Sequence, residues 1–398
     1  MSDADAPAAL GPNAAQVRAL ASGDPQKALQ ILERAVAFDP DNLAAWLNYG
    51  GVLRSLSRAD EAMAAVSQAL RIQPRSFHAL LMKGSILDNQ GKSADAGRAY
   101  GLALMFAPAD GDLDPPTLAA VRRARQAYEG YAAALGGQIR AALSAGAGGA
   151  SPADRRRFDK FVDIVAGVRP AYEQRPSDFH FPGLPAIEFY DDETFPWIPQ
   201  FESAFPAILA ELQADLARGD EGFAPYVQLP SGVPVDQWAE LNHSIKWSSL
   251  FLKQNGQVVE TTAPRFRKTL DALAQIPQPV ASNRSPVAMF SALQPRTRIP
   301  PHHGVTNTRL VLHLPLIVPP DCGFRVGAET RSWVPGKAWV FNDTIEHEAW
   351  NDSDALRIIL IADIWNPLLS RDEREMYDML MRALDQFHDE TEAYSASI

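Results

Sequence analysis

Four of the eight histidines in the chain lie between positions 302 and 347, and imidazole is a common protein ligand for transition metals. They are His302, His303, His313 and His347. The single cysteine, Cys322, excludes an intrachain disulfide and offers no paired thiolates for zinc or redox chemistry. An isolated histidine is more often structural, but this grouping favours a metal site that uses imidazole nitrogens.

Two arginines near these histidines are expected to be buried. In the run TRLVLHLPLIV, strand alternation puts Arg309 and His313 on one face and the leucines on the other. Arg357 begins the apolar run RIILIADIW, where an unpaired charge is unfavourable. A buried guanidinium pairs well with a carboxylate. For Arg357 this carboxylate is either part of a bound ligand or a protein acid such as Asp363, and both interpretations stay open.

Short β-branched runs separated by Gly, Pro, Asp and Asn turns surround these residues and predict a β domain. The predicted strands are SPVAMFSAL, TRLVLHLPLIV, CGFRVG, ETRSWV, KAWVFND, HEAWN and RIILIADIW. Helical patterns occur only at the borders, in PAILAELQADLA before the strands and in RDEREMYDMLMRALDQF after them. This arrangement favours a sandwich or jelly roll, in which the start of one strand comes near the end of another.

The N-terminal part of the chain repeats itself at a spacing of 34 residues, the period of the tetratricopeptide helix-turn-helix unit. Three columns carry the repeat: Ala28, Ala62 and Ala96; Ala35, Ala69 and Ala103; and Pro40, Pro74 and Pro108. Small residues let two helices approach closely, and proline ends the second helix of each unit. The pattern resembles tetratricopeptide repeats over residues 16–108 and predicts an α-helical solenoid. Its concave surface either binds a peptide or partner protein, or the repeats only cap and dimerise the chain.

Between the repeats and the β domain, the sequence predicts a helical connector. Apolar residues three and four apart predict a helix from Pro115 to Leu143 that is interrupted at Gly136 and Gly137. A loop rich in Gly, Ala and Ser follows at 144–153, and a second helix spans about residues 153–168. The predicted domains are a flexible N-terminus (1–15), the repeats (16–108), the connector (109–176) and the β domain with its C-terminal helix (177–398).

Composition and charge exclude several classes of protein. Hydrophobic residues make up 46% of the chain and charged residues 21%, which are globular values. The net charge of -11 argues against a nucleic-acid binder that depends on neutralising phosphates. The acidic N-terminus does not read as a signal peptide, and no apolar run reaches the length of a membrane span. We therefore expect a cytoplasmic protein without nucleic-acid or membrane partners.

Two longer motifs resemble one branch of the 2-oxoglutarate-dependent oxygenases. The stretch PHHGVTNTRLVLHL (301–314) resembles the first metal-ligand motif of the aspartyl/asparaginyl β-hydroxylase family, and FNDTIEHEAWNDSDALRIILIADIWNP (341–367) resembles its second. The usual two-histidine, one-carboxylate motif has an acid two residues after the first histidine. Here that position is Gly304, and this family also has glycine there. Several such hydroxylases carry tetratricopeptide repeats before the catalytic domain, and the resemblance implies a double-stranded β-helix fold of the jelly-roll type.

The resemblance also implies roles for individual residues. His302 and His347 would be the catalytic metal ligands that bind Fe(II). Ser291, Arg309, His313 and Arg357 match positions that bind 2-oxoglutarate. Of these, Arg357 and Ser291 would hold the carboxylate remote from the metal, and Arg309 and His313 would lie beside the nearer one. Two departures from the family pattern are Lys253, where tryptophan is frequent, and Leu293, where methionine is frequent.

The implied reaction is hydroxylation of the β-carbon of an Asp or Asn residue in a peptide, protein or carrier-bound chain. O2 is consumed, and 2-oxoglutarate is converted to succinate and CO2. The repeats would recruit the substrate or a partner protein. Two alternatives stay open at this point: a non-catalytic tetratricopeptide scaffold or 2-oxoglutarate sensor, and a hydroxylase of lipid acyl chains. The absence of a predicted membrane anchor and the acidic charge argue against the lipid substrate.

Overall fold

The computed structural model describes residues 23–144, 149–219 and 222–390. The chain divides into two compact units, with the boundary between Arg169 and Pro170. The predicted flexible N-terminus (1–15) lies outside the described residues, as do positions 145–148 of the predicted loop. The first unit is helical, and the second is built around two β-sheets.

The first unit is a row of helices, each of which packs mainly on the next one along the chain. They are α1 (Pro25–Phe38), α2 (Leu43–Ser55), α3 (Ala59–Ile72), α4 (Phe77–Asn89), α5 (Ser93–Met105), α6 (Pro115–Ser144) and α7 (Pro152–Ala166). The repeated alanines lie in the helix contacts, and Ala62, Ala69 and Ala103 are fully buried. A Cβ added at Gly84 would lie 2.3 Å from a ring carbon of Tyr100, so only glycine lets α4 and α5 approach this closely. The tetratricopeptide prediction is confirmed.

The connector helix α6 runs without a break, so the predicted interruption at Gly136 and Gly137 is wrong. Gly136 is buried, and a Cβ added there would lie 3.5 Å from the Cβ of Ala166 on α7. Glycine inside a helix costs about 1 kcal/mol relative to alanine, which packing against a neighbouring helix readily outweighs. Tertiary contact therefore overrides the local preference.

The second unit contains four described helices and eleven strands. The helices are α8 (Ile198–Ser203), α9 (Phe205–Leu216), α10 (Arg267–Leu273) and α11 (Arg371–Glu390). The strands are β1 (Ala224–Pro225), β2 (Trp247–Gln254), β3 (Gln257–Val258), β4 (Ala288–Leu293), β5 (Thr297–His302), β6 (Arg309–Ile317), β7 (Cys322–Val326), β8 (Glu329–Arg331), β9 (Trp339–Phe341), β10 (His347–Asn351) and β11 (Arg357–Trp365).

These strands form two antiparallel sheets. The large sheet has the order β1-β2-β4-β11-β6-β9, with β3 beside β2, and the small sheet has the order β5-β10-β7-β8. Among the described residues the sheets do not join into a closed barrel. The non-consecutive neighbours β4, β11 and β6 are the strands that carry Ser291, Arg357 and Arg309.

Strand alternation gives the large sheet two different faces. One face packs on helices: Leu310, Leu312, Leu314 and Leu316 of β6 share a core with Ile208 and Leu212 of α9 and Leu273 of α10. The other face shares a second core with the small sheet, through residues such as Val311, Phe341 and Phe324. We call the space between the facing sheets the cleft. As predicted, the leucines of β6 face helices, whereas His313 and Arg309 alternate with them and face the cleft.

The sequence patterns miss several elements of the second unit: helices α8 and α10 and strands β1, β2, β3 and β5. Helix α10 lies between strands, although helices are expected only at the borders of this region, so that expectation is wrong. Strands β2 and β5 are not predicted at all. Strand β5 contains Pro300 and Pro301, which cannot donate to a ladder and are tolerated because β5 is an edge strand.

Candidate functional site

The candidate site lies where one strand of the small sheet ends and its neighbour begins. His302 is the last residue of β5, His347 is the first of β10, and the two face each other directly in antiparallel register. The centroids of the two imidazole rings are 4.0 Å apart. Sheet pairing thus brings together two histidines that are far apart in the sequence.

Each imidazole has one nitrogen held by the backbone. His302 Nδ1 lies 2.9 Å from the Pro300 carbonyl oxygen, and His347 Nδ1 lies 3.0 Å from the Ile345 carbonyl oxygen. Because a carbonyl oxygen only accepts hydrogen bonds, these contacts assign the proton to Nδ1 and leave a lone pair on Nε2. This is the tautomer in which histidine ligates a metal through Nε2.

Burial keeps both rings uncharged at neutral pH. Burial, reinforced by the neighbouring His347, lowers the pKa of His302 to about 3. Burial also lowers the pKa of His347 to about 4. Neutral imidazole is the form that binds divalent metals, so the two side chains meet the electrostatic requirement as well as the geometric one.

Gly304 supplies no third ligand, and the space beside it is occupied by a carboxylate from another loop. A Cβ added at Gly304 would lie 2.1 Å from Asp343 Oδ2. The Gly304 backbone N–H donates to the Asp343 carbonyl oxygen at 2.6 Å. Within the described ranges, no three His, Cys, Asp or Glu side chains are grouped so as to hold a metal. The protein therefore offers two imidazoles, and Asp343 is near enough to His302 to influence its charge.

Arg309 is already matched by acids. Its Nη1 lies 3.2 Å from Asp343 Oδ2 and 3.2 Å from Asp363 Oδ1. Burial alone would lower the pKa of Arg309, but the two aspartates raise it above its ordinary value, so the guanidinium stays charged. Asp363 Oδ2 also accepts from the Ser285 hydroxyl at 3.1 Å and from the Val287 backbone at 2.9 Å. One cation is thus shared by two buried acids.

Arg357 is in the opposite situation. It is 1% exposed, and no acidic side chain in the described part of the chain forms an ion pair with it. Its Nη1 donates to the Ser291 carbonyl oxygen at 3.3 Å, its guanidinium carbon lies 4.9 Å from the ring centroid of Trp333, and its Nε has no partner there. Asp363, the protein acid considered for it, pairs with Arg309 instead. Burial lowers the pKa of Arg357, as expected for a cation without a counter-charge.

Two further predicted residues face the same cleft. Ser291 on β4 is 1% exposed, and its hydroxyl accepts from Trp247 Nε1 at 3.2 Å, which leaves its own proton available to a ligand. His313 lies between aromatic rings, 5.0 Å from that of Phe324 and 4.7 Å from that of Phe341. Burial lowers the pKa of His313 well below its ordinary value, and the nearby charge of Arg357 lowers it further.

Three aromatic residues that are not among the predicted site residues border the histidines. The ring of Trp238 lies 5.3 Å from that of His302, and the ring of Trp247 lies 6.2 Å from it. Tyr226 stacks on Trp247 at 4.3 Å. We call these three residues the aromatic wall. Recognising β2, which starts at Trp247, would have placed that indole on the same face as Ser291.

The two departures from the family pattern have different surroundings. Leu293 is fully buried and lies directly opposite Arg357 in the pairing of β4 with β11, so it contributes to the Arg357 end of the cleft. Lys253 is near the other end of β2, where its Nζ donates to Gln278 Oε1 at 2.5 Å. The arrangement gives Lys253 no contact with the two histidines in the described structure.

Comparison with known proteins finds hydroxylases that are similar to the second unit. The profile described as "Aspartyl/Asparaginyl beta-hydroxylase" matches residues 202–367. A Rhizobium tropici protein named "Ornithine lipid ester-linked acyl 2-hydroxylase" is 34% identical over 232 residues, covering 56% of this chain and 75% of the relative. The human "Aspartyl/asparaginyl beta-hydroxylase" is 32% identical over 182 residues, covering 45% of this chain. The chain spans only 24% of the length of that human relative.

Comparisons also cover the first unit. A tetratricopeptide repeat profile matches residues 19–86. The Arabidopsis OM64 TPR domain aligns with 19% identity and a TM-score of 0.24, over 28% of this chain and 88% of that domain.

Across the described residues, no helix has both the length and the apolar character that a membrane crossing requires.

Proposed function

The chain belongs to the aspartyl/asparaginyl β-hydroxylase family, and we propose that it is an Fe(II)- and 2-oxoglutarate-dependent dioxygenase that hydroxylates a C–H bond. The observation that carries this proposal is the direct pairing of His302 with His347, each with Nε2 available. Arg357, a buried cation without an acidic partner in the described structure, faces the same cleft. A chelating dicarboxylate needs this combination of metal ligands and a cation.

His302 and His347 would hold the metal. Because Gly304 provides no carboxylate, the remaining coordination positions would go to the cosubstrate, water and O2. When bound, the metal and 2-oxoglutarate supply the oxidative chemistry, which yields the hydroxylated product, succinate and CO2. The chain's own contribution is to fix both imidazoles in one tautomer and to keep them neutral in a buried cleft.

Arg357 and Ser291 would bind the carboxylate of 2-oxoglutarate that is remote from the metal. The guanidinium offers a charge and several donors, and the Ser291 hydroxyl offers one more. His313, whose pKa is lowered by burial and by the charge of Arg357, would lie between the two ends of the cosubstrate. The cosubstrate would thereby satisfy a cation that is otherwise buried alone.

Arg309 has a different role in this proposal. Its charge is already balanced by Asp343 and Asp363, so it does not need a carboxylate of the cosubstrate as a counter-charge. We therefore assign it as a positioning residue that holds the Asp343 carboxylate beside Gly304 and His302. In that place Asp343 would orient water or substrate next to the metal without ligating it.

Two substrate classes are compatible with the site. The first is the β-carbon of an Asp or Asn residue, the reaction for which the family is named. The second is carbon 2 of an acyl chain, the position in the name of the Rhizobium relative. Both positions are next to a carbonyl group, so we propose that the target is a methylene adjacent to a carbonyl. The aromatic wall favours the acyl class, because it gives one side of His302 an apolar surface.

The repeats are proposed to recruit the substrate or a partner protein, as tetratricopeptide solenoids commonly do. Activity in a reducing compartment, without nucleic acid as a partner, stays a prediction. The main alternative function is a scaffold or 2-oxoglutarate sensor. It shares the binding of 2-oxoglutarate with the enzyme but lacks turnover, so a turnover measurement separates the two.

The proposal is tested by succinate formation from 2-oxoglutarate, with anaerobically purified full-length protein supplied with Fe(II) and O2. His302→Ala and His347→Ala are expected to abolish the reaction. His78→Ala is the matched control, because this histidine lies on α4 in the repeats, is exposed, and has no part in the site. Addition of Asn- or Asp-containing peptides, or of ester-linked acyl chains in micelles, identifies the substrate class by the stimulation of turnover.

The outcomes are distinct. Turnover that requires both histidines supports the dioxygenase. Tight binding of 2-oxoglutarate without turnover on any of these substrates supports the sensor. Failure of the metal-loaded wild type both to bind 2-oxoglutarate and to form succinate contradicts the proposal.

A further inference from the structure

Buried polar nitrogens without a hydrogen-bond partner in the described structure surround the Arg357 end of the cleft. Four nitrogens there are buried and have no hydrogen-bond partner in the described structure: Arg357 Nε, Trp333 Nε1, Trp339 Nε1 and His313 Nδ1. All four side chains are at least nine-tenths buried. A buried donor left without a partner costs about 1–3 kcal/mol, so such a cluster indicates that a ligand rich in acceptors binds there.

Trp333 is the member of this cluster that lies against the cation. The Arg357 guanidinium carbon is 4.9 Å from the centroid of its ring, and the ring is stacked on those of Phe324 at 5.6 Å and Trp339 at 6.0 Å. Its indole nitrogen is a donor only. A carboxylate that binds the guanidinium would therefore have an additional donor within the same small space.

The loop that carries Trp333 is well anchored. It connects β8 with β9, and the Gly336 backbone N–H donates to the Pro315 carbonyl oxygen at 2.9 Å. The Ala338 backbone N–H donates to Glu202 Oε1 at 2.9 Å. The position of Trp333 is therefore set by the backbone and its neighbours, as a binding residue requires.

We propose that Trp333 is a cosubstrate-binding residue, whose indole N–H donates to the carboxylate of 2-oxoglutarate that Arg357 binds and whose ring closes that end of the pocket. This inference rests on the proposed function. It goes beyond the set of Ser291, Arg309, His313 and Arg357 by adding a donor that lies on a loop, outside both ligand motifs. It also makes the pocket selective for ligands with a carboxylate at this depth.

The test uses two keto acids that differ only in that carboxylate. Protein loaded with Mn(II), which occupies the metal site without supporting the reaction, is titrated calorimetrically with 2-oxoglutarate and with 2-oxobutanoate. Trp333→Phe keeps an aromatic ring but removes the N–H. It is expected to bind 2-oxoglutarate about ten-fold more weakly, since a hydrogen bond to a charged group has that order of effect, and to bind 2-oxobutanoate within about two-fold of wild type.

Two further variants guard against a purely structural explanation. Trp333→His keeps an N–H donor on a smaller ring and is expected to recover part of the loss. Trp197→Phe removes the N–H of an indole that packs against the helix-covered core, on the face of the large sheet opposite the cleft. It is expected to retain affinity for 2-oxoglutarate within about three-fold of wild type, less than a hydrogen bond to a charged group contributes.

The inference is overturned if Trp333→Phe binds 2-oxoglutarate as wild type does. It is equally overturned if Trp333→Phe weakens both keto acids by the same factor, which indicates a general effect on the pocket. If the wild-type protein binds neither keto acid, the proposed function itself fails. By contrast, if wild type binds 2-oxoglutarate and Trp333→Phe binds it equally well, only the inference about Trp333 fails.

Discussion

The two ends of the cleft each bury an arginine, but only one of these arginines has protein counter-charges. At one end, Arg309 on β6 contacts Asp343 and Asp363 at 3.2 Å each. At the other end, Arg357 on the adjacent strand β11 has a backbone carbonyl and an aromatic ring, with no acid paired to it in the described ranges. At the first end, protein carboxylates balance the charge of Arg309. At the second end, the counter-charge of Arg357 has to come from a bound anion.

This difference shows how buried charge separates stabilising residues from binding residues. A buried ion pair whose partners are all present can be lost only at a large cost in folding free energy. A buried cation without a partner lowers stability in the absence of ligand, and it is retained where a ligand repays that cost. The two arginines lie on neighbouring strands and on the same face, so their surroundings rather than their burial set their roles.

The largest expected effect on stability comes from removing the paired arginine. Arg309→Met leaves Asp343 and Asp363 buried without their cation and is expected to lower the free energy of unfolding by about 3–5 kcal/mol. Arg357→Met removes a cation that has no acidic partner and is expected to leave stability unchanged or raise it. Tryptophan fluorescence reports the unfolding of the second unit in urea, because seven of the eight tryptophans lie in that unit and only Trp46 lies in the repeats.

Equal destabilisation by Arg309→Met and Arg357→Met would contradict the distinction between the two arginines, since it would show that both guanidiniums are structural. Arg309→Lys is the matched control for the paired end. It keeps the charge but loses the forked geometry, and its stability is expected to lie between those of wild type and Arg309→Met.

A smaller effect is expected from placing a side chain at Gly304. Gly304→Asp puts a Cβ 2.1 Å from Asp343 Oδ2 and adds a third carboxylate to the paired end of the cleft, beside Asp343 and Asp363. The variant is expected to lose about 1–3 kcal/mol of stability. Asp343→Ala in the same chain removes the clash, so the double variant is expected to be more stable than the sum of the two single changes predicts. Additive losses, measured by urea unfolding, would show that the two side chains do not share this space.

The smallest effect is expected from a change in the repeats, which serves as a control that general destabilisation does not imitate a loss of binding. Asn42 caps α2, and its Oδ1 accepts from the Ala45 backbone at 2.9 Å. Asn42→Ala is expected to lower the stability of the repeats by about 1 kcal/mol, followed by circular dichroism during thermal unfolding. Its affinity for 2-oxoglutarate is expected to equal that of wild type. A change in that affinity would mean that repeat stability and the site are coupled.

The repeats and the histidine pair could be predicted from the sequence for different reasons. The repeats depend on local periodicity, since each helix packs mainly on the next, and a fixed spacing of small residues records this directly. The pairing of His302 with His347 depends on long-range strand register, which the sequence does not encode locally. It was predicted because the surrounding motifs resemble a known family.

The partner of Arg309 could not be predicted, because it depends on which strands are neighbours. Asp363 was considered as a partner for Arg357, six positions earlier on the same strand. Six residues of strand extend over about 20 Å, too far for an ion pair. Asp363 instead reaches Arg309 across the β6–β11 pairing, a contact between elements separated by four intervening strands. The aromatic wall is not among the predicted site residues for a related reason, because the strand β2 that begins at Trp247 was not recognised.

The most direct test of the different roles of the two arginines is the calorimetric titration of Mn(II)-loaded protein with 2-oxoglutarate, comparing wild type with Arg357→Met and Arg309→Met. We predict that wild type binds and that Arg357→Met binds at least about 100-fold more weakly, because it loses a buried charge-assisted contact. Any folded Arg309→Met protein is expected to bind within about ten-fold of wild type. Retention of wild-type affinity by Arg357→Met would contradict the assignment of the unpaired arginine as the site of the cosubstrate.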